Sequence, residues 1–552
     1  MKKIFALLFL CLGFAGAFAQ KQNSPSPKTK VKHKIYGHIE GLKDTTIYLA
    51  NYYGKQLYYN DTARVDAKGR FEFKGKPYEE CGKYALVMPG PRYFEFMAVE
   101  EDIEFTCTAD ADPTKIVVVK SETNKKFFEF IRVINQKLKV RTPLDQCIAD
   151  SLKSEEEKKA CRTELEKLNE EVTAYQWELI NADPNNLFCK YLKMAIDVKP
   201  IDAPDSLSAD KKQLWQYLYF RKHYWDNTDL TDSRMVRDQQ FHRILETYLT
   251  KVLPQIPDTM ITEVNALIKR VENNPDLFKY ITHQATYLSE TSKIMCMDKL
   301  FVNLVDTYYT SGRATWSSEK SLKDMKDAAD KKRNCLCGSI APDIILPDTS
   351  ETKWISMHKN RGKYTLLVIW ESTCGHCKKE IPLILDVYHK WKDKGFVVYA
   401  VGNELENEGW VKFVKEKNLD WINVSDTKEI MTNEMASKLI MEGKTSLLSL
   451  NYRTTWDVTS TPKVYLMDQD MKIIAKSIGA EQIDKFLEHL IDGKDLNTEG
   501  IKSTDYEDHG SPQPNKNKKN GKYVFTGNTS KGNGRQRRPF FWANCCNRPR
   551  IL

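Results

Sequence analysis

Cys374 and Cys377 stand in the run Trp370-Glu371-Ser372-Thr373-Cys374-Gly375-His376-Cys377-Lys378-Lys379-Glu380-Ile381-Pro382. Two thiols at that spacing serve redox exchange, metal ligation or a structural bridge, and their surroundings choose among these. The continuous apolar stretch 364–370 reads as a central strand covered on both faces. After the pair, Ile381, Ile384, Leu385, Tyr388 and Trp391 recur at helical intervals. The first sulfur is therefore expected at a helix N-terminus, where unpaired N–H groups and the helix dipole favour its anion. The second lies one turn in, close enough to attack a disulfide formed on the first. Thiolate is the nucleophile, and such positions lower a cysteine pKa from ~8.5 to about 3.5–7.5. A protonated His376 would stabilise the Cys374 thiolate further and make the couple more oxidising. Glu380, three residues past Cys377, shares its helix face. It reads either as a proton-transfer partner of Cys377 or as an exposed glutamate beside Lys378 and Lys379.

The elements that position this pair occupy residues 338–492, where strand and helix alternate as in an α/β domain. Residues 396–401 form a second buried strand, 463–467 and 472–475 a hairpin across Asp468-Gln469-Asp470. Ile483, Phe486, Leu487, Leu490 and Ile491 mark a closing helix. Upstream, residues 32–120 hold short alternating runs (46–49, 70–73, 93–96, 116–119) that predict a small β-sandwich. From 121 to 333 the period becomes helical. Cys161, Leu165, Leu168, Val172, Tyr175 and Leu179 make one stripe, and Phe241, Leu245, Tyr248, Leu249 and Val252 another. Pro200, Pro204, Pro254, Pro257 and Pro275 divide this all-α region. The aromatic run 215–220, with Tyr224 and Trp225, reads as helix core.

Residues 338–492 resemble the thioredoxin superfamily, in particular its TlpA/ResA-like and AhpC/TSA-like exported members. The resemblance rests on Ala341-Pro342-Asp343, the 370–382 segment, and Ser460-Thr461-Pro462-Lys463-Val464-Tyr465-Leu466. It implies a thioredoxin-like fold and disulfide exchange with protein thiols, Cys374 attacking and Cys377 resolving. It also implies a cis Pro462 facing the pair, with Thr461, Pro462 and Trp370 meeting the substrate, and a proton-transfer role for Glu380. An envelope redox partner, a membrane electron donor or acceptor, and a periplasmic setting follow from the same resemblance, as does a link to cytochrome c-type biogenesis. The whole chain is similar in layout to multidomain Bacteroidota proteins that join a β-domain and a helical segment to such a redox domain. Three departures stand out: Val368 replaces thioredoxin's buried Asp, Thr373 its Trp, and the stretch 431–457 is longer than the resemblance leads one to expect.

Other chemistries fit less well. A peroxidase of the AhpC type needs Pro and Thr/Ser where this chain has Leu367 and Glu371. A four-thiolate zinc site from Cys335, Cys337, Cys374 and Cys377 would need two ligands from a tight Cys-x-Cys, so Cys335 and Cys337 are expected to be structural. No metal or cofactor is expected. A third class, an envelope binding protein with a vestigial redox pair, is disfavoured by the intact pair and Thr461-Pro462.

With 552 residues, several domains are needed. Lys2 and Lys3 precede an apolar run ending in Ala17-Phe18-Ala19, the layout of a signal peptide over 1–19. A polar linker (20–31) follows, and no later stretch reaches the ~20 apolar residues of a membrane span. The formal charge is +9, but residues 509–552 carry ten Lys/Arg and no Asp or Glu. Removing those ten and the two signal lysines from +9 leaves −3 for residues 20–508, so charge gives no case for a nucleic-acid partner. Residues 497–552 read as a basic disordered tail. Of thirteen cysteines, Cys147 and Cys161 flank a charged helical stretch that a disulfide could clip.

Overall fold

The computed structural model describes residues 33–74, 81–90, 92–199 and 201–493. The signal peptide, the linker and the basic tail expected from the sequence lie outside them.

The alternating runs near the N-terminus form β1 (Ile35–Glu40), β2 (Thr45–Tyr53), β3 (Gln56–Val65), β4 (Arg70–Phe73), β5 (Gly82–Met88), β6 (Arg92–Ala98), β7 (Ile103–Thr108) and β8 (Val117–Lys120). They pair in two four-stranded sheets, ordered β4-β1-β7-β8 and β3-β2-β5-β6. Phe105 of the first sheet, which also touches Phe71, meets Phe94 and Phe96 of the second, with Phe94 and Phe105 edge-on at 5.2 Å between ring centroids. Aromatic rings from both inner faces thus fill the sandwich. β5 is buried along its whole length, because the segment around Val236 and Asp238 covers its other face. Gly54 N–H donates to Val236 O at 2.7 Å, and Lys83 Nζ sits 2.6 Å from Asp238. A Cβ on Gly82 would meet the Arg237 side chain at 2.4 Å, which requires glycine there.

Nine helices follow among the described residues: α1 (Glu122–Ala149), α2 (Glu155–Ala182), α3 (Leu187–Met194), α4 (Ala209–His223), α5 (Gln239–Thr247), α6 (Pro257–Arg270), α7 (Pro275–Glu290), α8 (Asp298–Leu304) and α9 (Glu319–Arg333). α1 and α2 form a hairpin closed by the Cys147–Cys161 disulfide. A Ser154–Glu157 capping box starts α2. Phe241, Leu245, Tyr248, Leu249 and Val252 are all buried, as their spacing predicted. The aromatic run 215–220 differs from its expectation. It is helical, but α4 fully buries none of its residues: Trp215, Tyr217, Tyr219 and Phe220 are half-buried, and Trp215 stacks on Tyr219. Full burial begins at Tyr224 and Trp225.

The last region comprises β9 (Ile345–Pro347), β10 (Trp354–Ser356), β11 (Tyr364–Trp370), α10 (Gly375–Trp391), β12 (Phe396–Gly402), α11 (Glu408–Glu416), β13 (Ile422–Ser425), α12 (Asn433–Met441), α13 (Leu447–Leu450), α14 (Tyr452–Thr455), β14 (Lys463–Asp468), β15 (Ile473–Lys476) and α15 (Ala480–Asp492). Its five-stranded sheet runs β13-β12-β11-β14-β15, parallel through β13, β12 and β11 and antiparallel beyond. Alternate residues of β11 feed two cores. Leu366, Val368 and Trp370 pack with α10 and α15, and Leu367 and Ile369 with Tyr399, Tyr452 and Trp456 on the other face. That double burial is why β11 reads as an unbroken apolar run.

The helical region also touches this sheet. Met295, just before α8, packs against the α10 core and accepts a hydrogen bond from Lys476 N–H at 3.4 Å. Cys296 next to it is disulfide-bonded to Cys337.

Candidate active site

β11 ends at Trp370, and after a four-residue turn α10 begins with Cys374 as its N-cap residue. Cys374 is half-buried, Cys377 fully buried, and both are free thiols. The backbone N–H groups of His376 and Cys377 point at the Cys374 sulfur, being donors that the first helical turn leaves unpaired. Opposite, the Thr461–Pro462 peptide is cis, and the Cys374 thiol donates to the Thr461 carbonyl at 3.4 Å.

The two sulfurs differ in acidity. Burial alone would raise the Cys374 thiol. The Cys377 N–H, the Cys377 thiol, the Thr461 hydroxyl and the His376 N–H together outweigh it and hold Cys374 below the ordinary cysteine value. Cys377 is pushed up to about 12, first by burial, then by its hydrogen bond to Cys374 and the charge there, against N–H donation from the Glu371 backbone. The arrangement makes one half-buried thiol that ionises more readily than an ordinary cysteine and one protonated thiol held behind it.

Of the residues expected at the site, Cys374, Cys377, Thr461 and Pro462 converge. His376 is exposed, and its backbone N–H reaches Cys374. Glu380 is half-buried rather than exposed, and it accepts a hydrogen bond from Ala480 N–H at the start of α15. Trp370 needs correction as a substrate-contacting residue. It is 0% exposed and packs against Trp410 and Phe413, because the last inward position of a doubly covered strand belongs to the core. Cys337 pairs with Cys296, so it does not stand with Cys335, Cys374 and Cys377 as a zinc ligand.

Sequence reasoning missed the residues that hold the turn. Glu404 accepts from both the backbone N–H and the hydroxyl of Ser372. Asn403 Nδ2 donates to Glu371 Oε1 at 2.6 Å, and Tyr452 and Arg453 reach Asn403 from α14. The one signal was the length of 431–457, the stretch that supplies α14.

Residues 337–476 match the AhpC/TSA family, while residues 33–127 and 151–332 match two domains of unknown function, DUF4369 and DUF5106. A thiol-disulfide oxidoreductase ResA of Bacillus cereus is 30% identical over 166 residues, which covers 29% of this chain and 82% of the relative. The protein of the same name from Bacillus subtilis is 32% identical over 90 residues, 16% of this chain and 50% of that one. Among solved structures, a thioredoxin-like protein from Bacteroides caccae covers 53% of this chain and 98% of its own at 18% identity, with a TM-score of 0.38. The thioredoxin domain of a Bacteroides vulgatus thiol-disulfide oxidoreductase covers 28% of this chain and 97% of its own at 28% identity, TM-score 0.23.

Proposed function

The chain belongs to the ResA-like thiol–disulfide oxidoreductases of the thioredoxin superfamily, and on that footing we propose that it exchanges disulfides with proteins outside the cytoplasm through Cys374 and Cys377. In the reducing direction the Cys374 thiolate attacks a substrate disulfide, one substrate sulfur leaves as thiolate, and a mixed disulfide forms. Cys377 gives up its proton and attacks the Cys374 sulfur. The second substrate sulfur leaves, and the Cys374–Cys377 disulfide remains. The same steps in reverse oxidise a substrate dithiol. The observation that carries this reading is the unequal pair itself: a lowered, half-exposed thiol at a helix N-terminus with a raised, buried one a turn behind. The Thr461 carbonyl beside Pro462 supplies the main-chain edge on which a substrate segment would lie.

Two observations favour an oxidising compartment, the signal-like N-terminus and the two disulfides formed by cysteines other than the pair. Within it, an envelope electron donor or acceptor would reset the pair.

Insulin or small-disulfide turnover by wild type, Cys374→Ala and Cys377→Ala tests the assignment. Cys374→Ala should be inactive and Cys377→Ala should accumulate the mixed disulfide; turnover by Cys374→Ala at the wild-type rate would overturn it. The reduction potential sets the direction, with a value near roughly −270 mV marking a reductant and one of about −120 to −180 mV an oxidant or isomerase. Peroxide consumption with a dithiol reductant should be absent, since Leu367 and Glu371 stand where a peroxidase needs Pro and Thr/Ser.

A further inference from the structure

The turn that carries Cys374 is tied to the ends of two neighbouring strands. Glu371 lies just past β11, and its peptide groups touch both cysteines: its carbonyl accepts from Cys374 N–H at 3.3 Å, and its N–H donates to the Cys377 thiol. No strand pairing or helical bond restrains this residue. Its side chain does, through the 2.6 Å bond from Asn403. Asn403 lies just past β12 and also donates its backbone N–H to Trp370 O at 2.9 Å.

Asn403 is clamped in turn. The buried Tyr452 hydroxyl donates to its Oδ1 at 3.2 Å, and Arg453 donates to its carbonyl at 3.1 Å. Arg453 forks onto Asp426, a fully buried carboxylate just past β13. The parallel strands β11, β12 and β13 therefore have their C-terminal ends cross-tied by two consecutive residues from the long 431–457 segment. A charge-assisted, two-pronged bond of this kind is stiff as well as strong.

We propose that Tyr452 and Arg453 are positioning residues that act through Asn403 and the Glu371 side chain, holding the Glu371 peptide against the Cys377 sulfur and thereby setting how fast Cys377 resolves a disulfide formed on Cys374. This deepens the thiol–disulfide reading and rests on it. The step that depends on the clamp is the second exchange, in which the protonated, buried sulfur must become the attacking anion. The N–H of Glu371 is the donor that stabilises that anion. The first exchange depends on the α10 N-terminus and Thr461, which the clamp does not touch. The Glu371 carboxylate serves as a hydrogen-bond acceptor here, so a side-chain amide at that position can replace it.

Dithiobis(nitrobenzoate) separates the two exchanges in the full chain. Attack by the Cys374 thiolate releases one nitrothiobenzoate and leaves the other on Cys374. Attack by Cys377, whose proton goes to solvent, releases the second and forms the Cys374–Cys377 disulfide. Subtracting the signal of Cys374→Ser removes the remaining thiols. Asn403→Ala and Arg453→Met should keep the first phase at the wild-type rate and slow the second about tenfold, the loss of roughly one well-made hydrogen bond. Because Arg453→Met strands Asp426, the neutral pair Asp426→Asn/Arg453→Met carries the same expectation. Glu371→Gln keeps a side-chain oxygen that accepts from Asn403 and should slow the second phase less than Asn403→Ala does. A second phase at the wild-type rate in folded Asn403→Ala and in the double variant would overturn the proposal. So would a second phase slowed in Glu371→Gln as much as in Asn403→Ala, which would make the carboxylate a proton acceptor. A wild type that releases only one nitrothiobenzoate after subtraction would instead sink the underlying two-cysteine reading.

Discussion

The Cys374 thiol and the Thr461 carbonyl oxygen lie 3.4 Å apart, hydrogen-bonded across the cis Thr461–Pro462 peptide. The Thr461 hydroxyl also favours the anion at both sulfurs, so one residue addresses the pair through its main chain and its side chain.

Alkylation of Cys374, followed by mass spectrometry as a function of pH, should therefore show a midpoint below the ordinary cysteine value, while Cys377 stays unmodified to high pH. Thr461→Val removes the hydroxyl and should move the Cys374 midpoint upward. The stability of the reduced protein follows with opposite signs. Cys374, lowered in the fold, contributes stability that is present above the unfolded value of ~8.5 and lost as pH falls through its folded value. Cys377, raised to about 12, contributes stability that is complete below ~8.5 and drains away as pH climbs toward 12.

Glu380→Ala separates a capping role from a proton-transfer role. The side chain accepts from Ala480 N–H, one of the donors that α15 leaves unpaired. Its loss should cost about 0.5–2 kcal/mol in urea unfolding, as for other helix caps, with disulfide exchange rates near wild type. A large fall in rate at unchanged stability would restore the catalytic reading.

The β-sandwich is locked to the helical region by a buried charge. Lys83 is 2% exposed, 2.6 Å from Asp238, and 3.6 Å from Glu95, which also accepts from Tyr52 OH at 2.6 Å. Burial works against the lysine charge, but the two carboxylates outweigh it and keep Lys83 charged. Lys83→Met should destabilise the chain by about 3–5 kcal/mol, because Asp238 is left buried without its partner. Lys83→Met/Asp238→Asn should recover much of that loss, since the amide still caps α5 through Gln240 N–H.

The Cys147–Cys161 bridge closes a short loop between α1 and α2, with a sequence separation of 14. Replacing both with Ser should cost about 3 kcal/mol by the loop-entropy estimate. The loss should appear as faster hydrogen exchange in the α1–α2 hairpin and leave the Cys374 alkylation profile in place.

The sequence by itself determined what depends on local pattern. Apolar periodicity separated strand from helix in each region. The strand-to-helix passage at 370–375 placed one sulfur at a helix N-terminus, and short-range helix geometry placed the other one turn behind. These features follow from residues a few positions apart, so they are legible along the chain.

Only the tertiary structure decided which long-range partner each polar group found. Glu380 sits on the helix face the sequence predicts, yet Ala480 claims it, a hundred residues away. Trp370 belongs to the motif but faces the core. Cys337 took Cys296 as its partner rather than its near neighbour Cys335. Asn403, Asp426, Tyr452 and Arg453 are ordinary residues in the sequence and become one clamp only because three parallel strands end side by side. Hydrogen bonds and disulfides are specific in direction and reach, and chain topology alone sets which groups come within that reach.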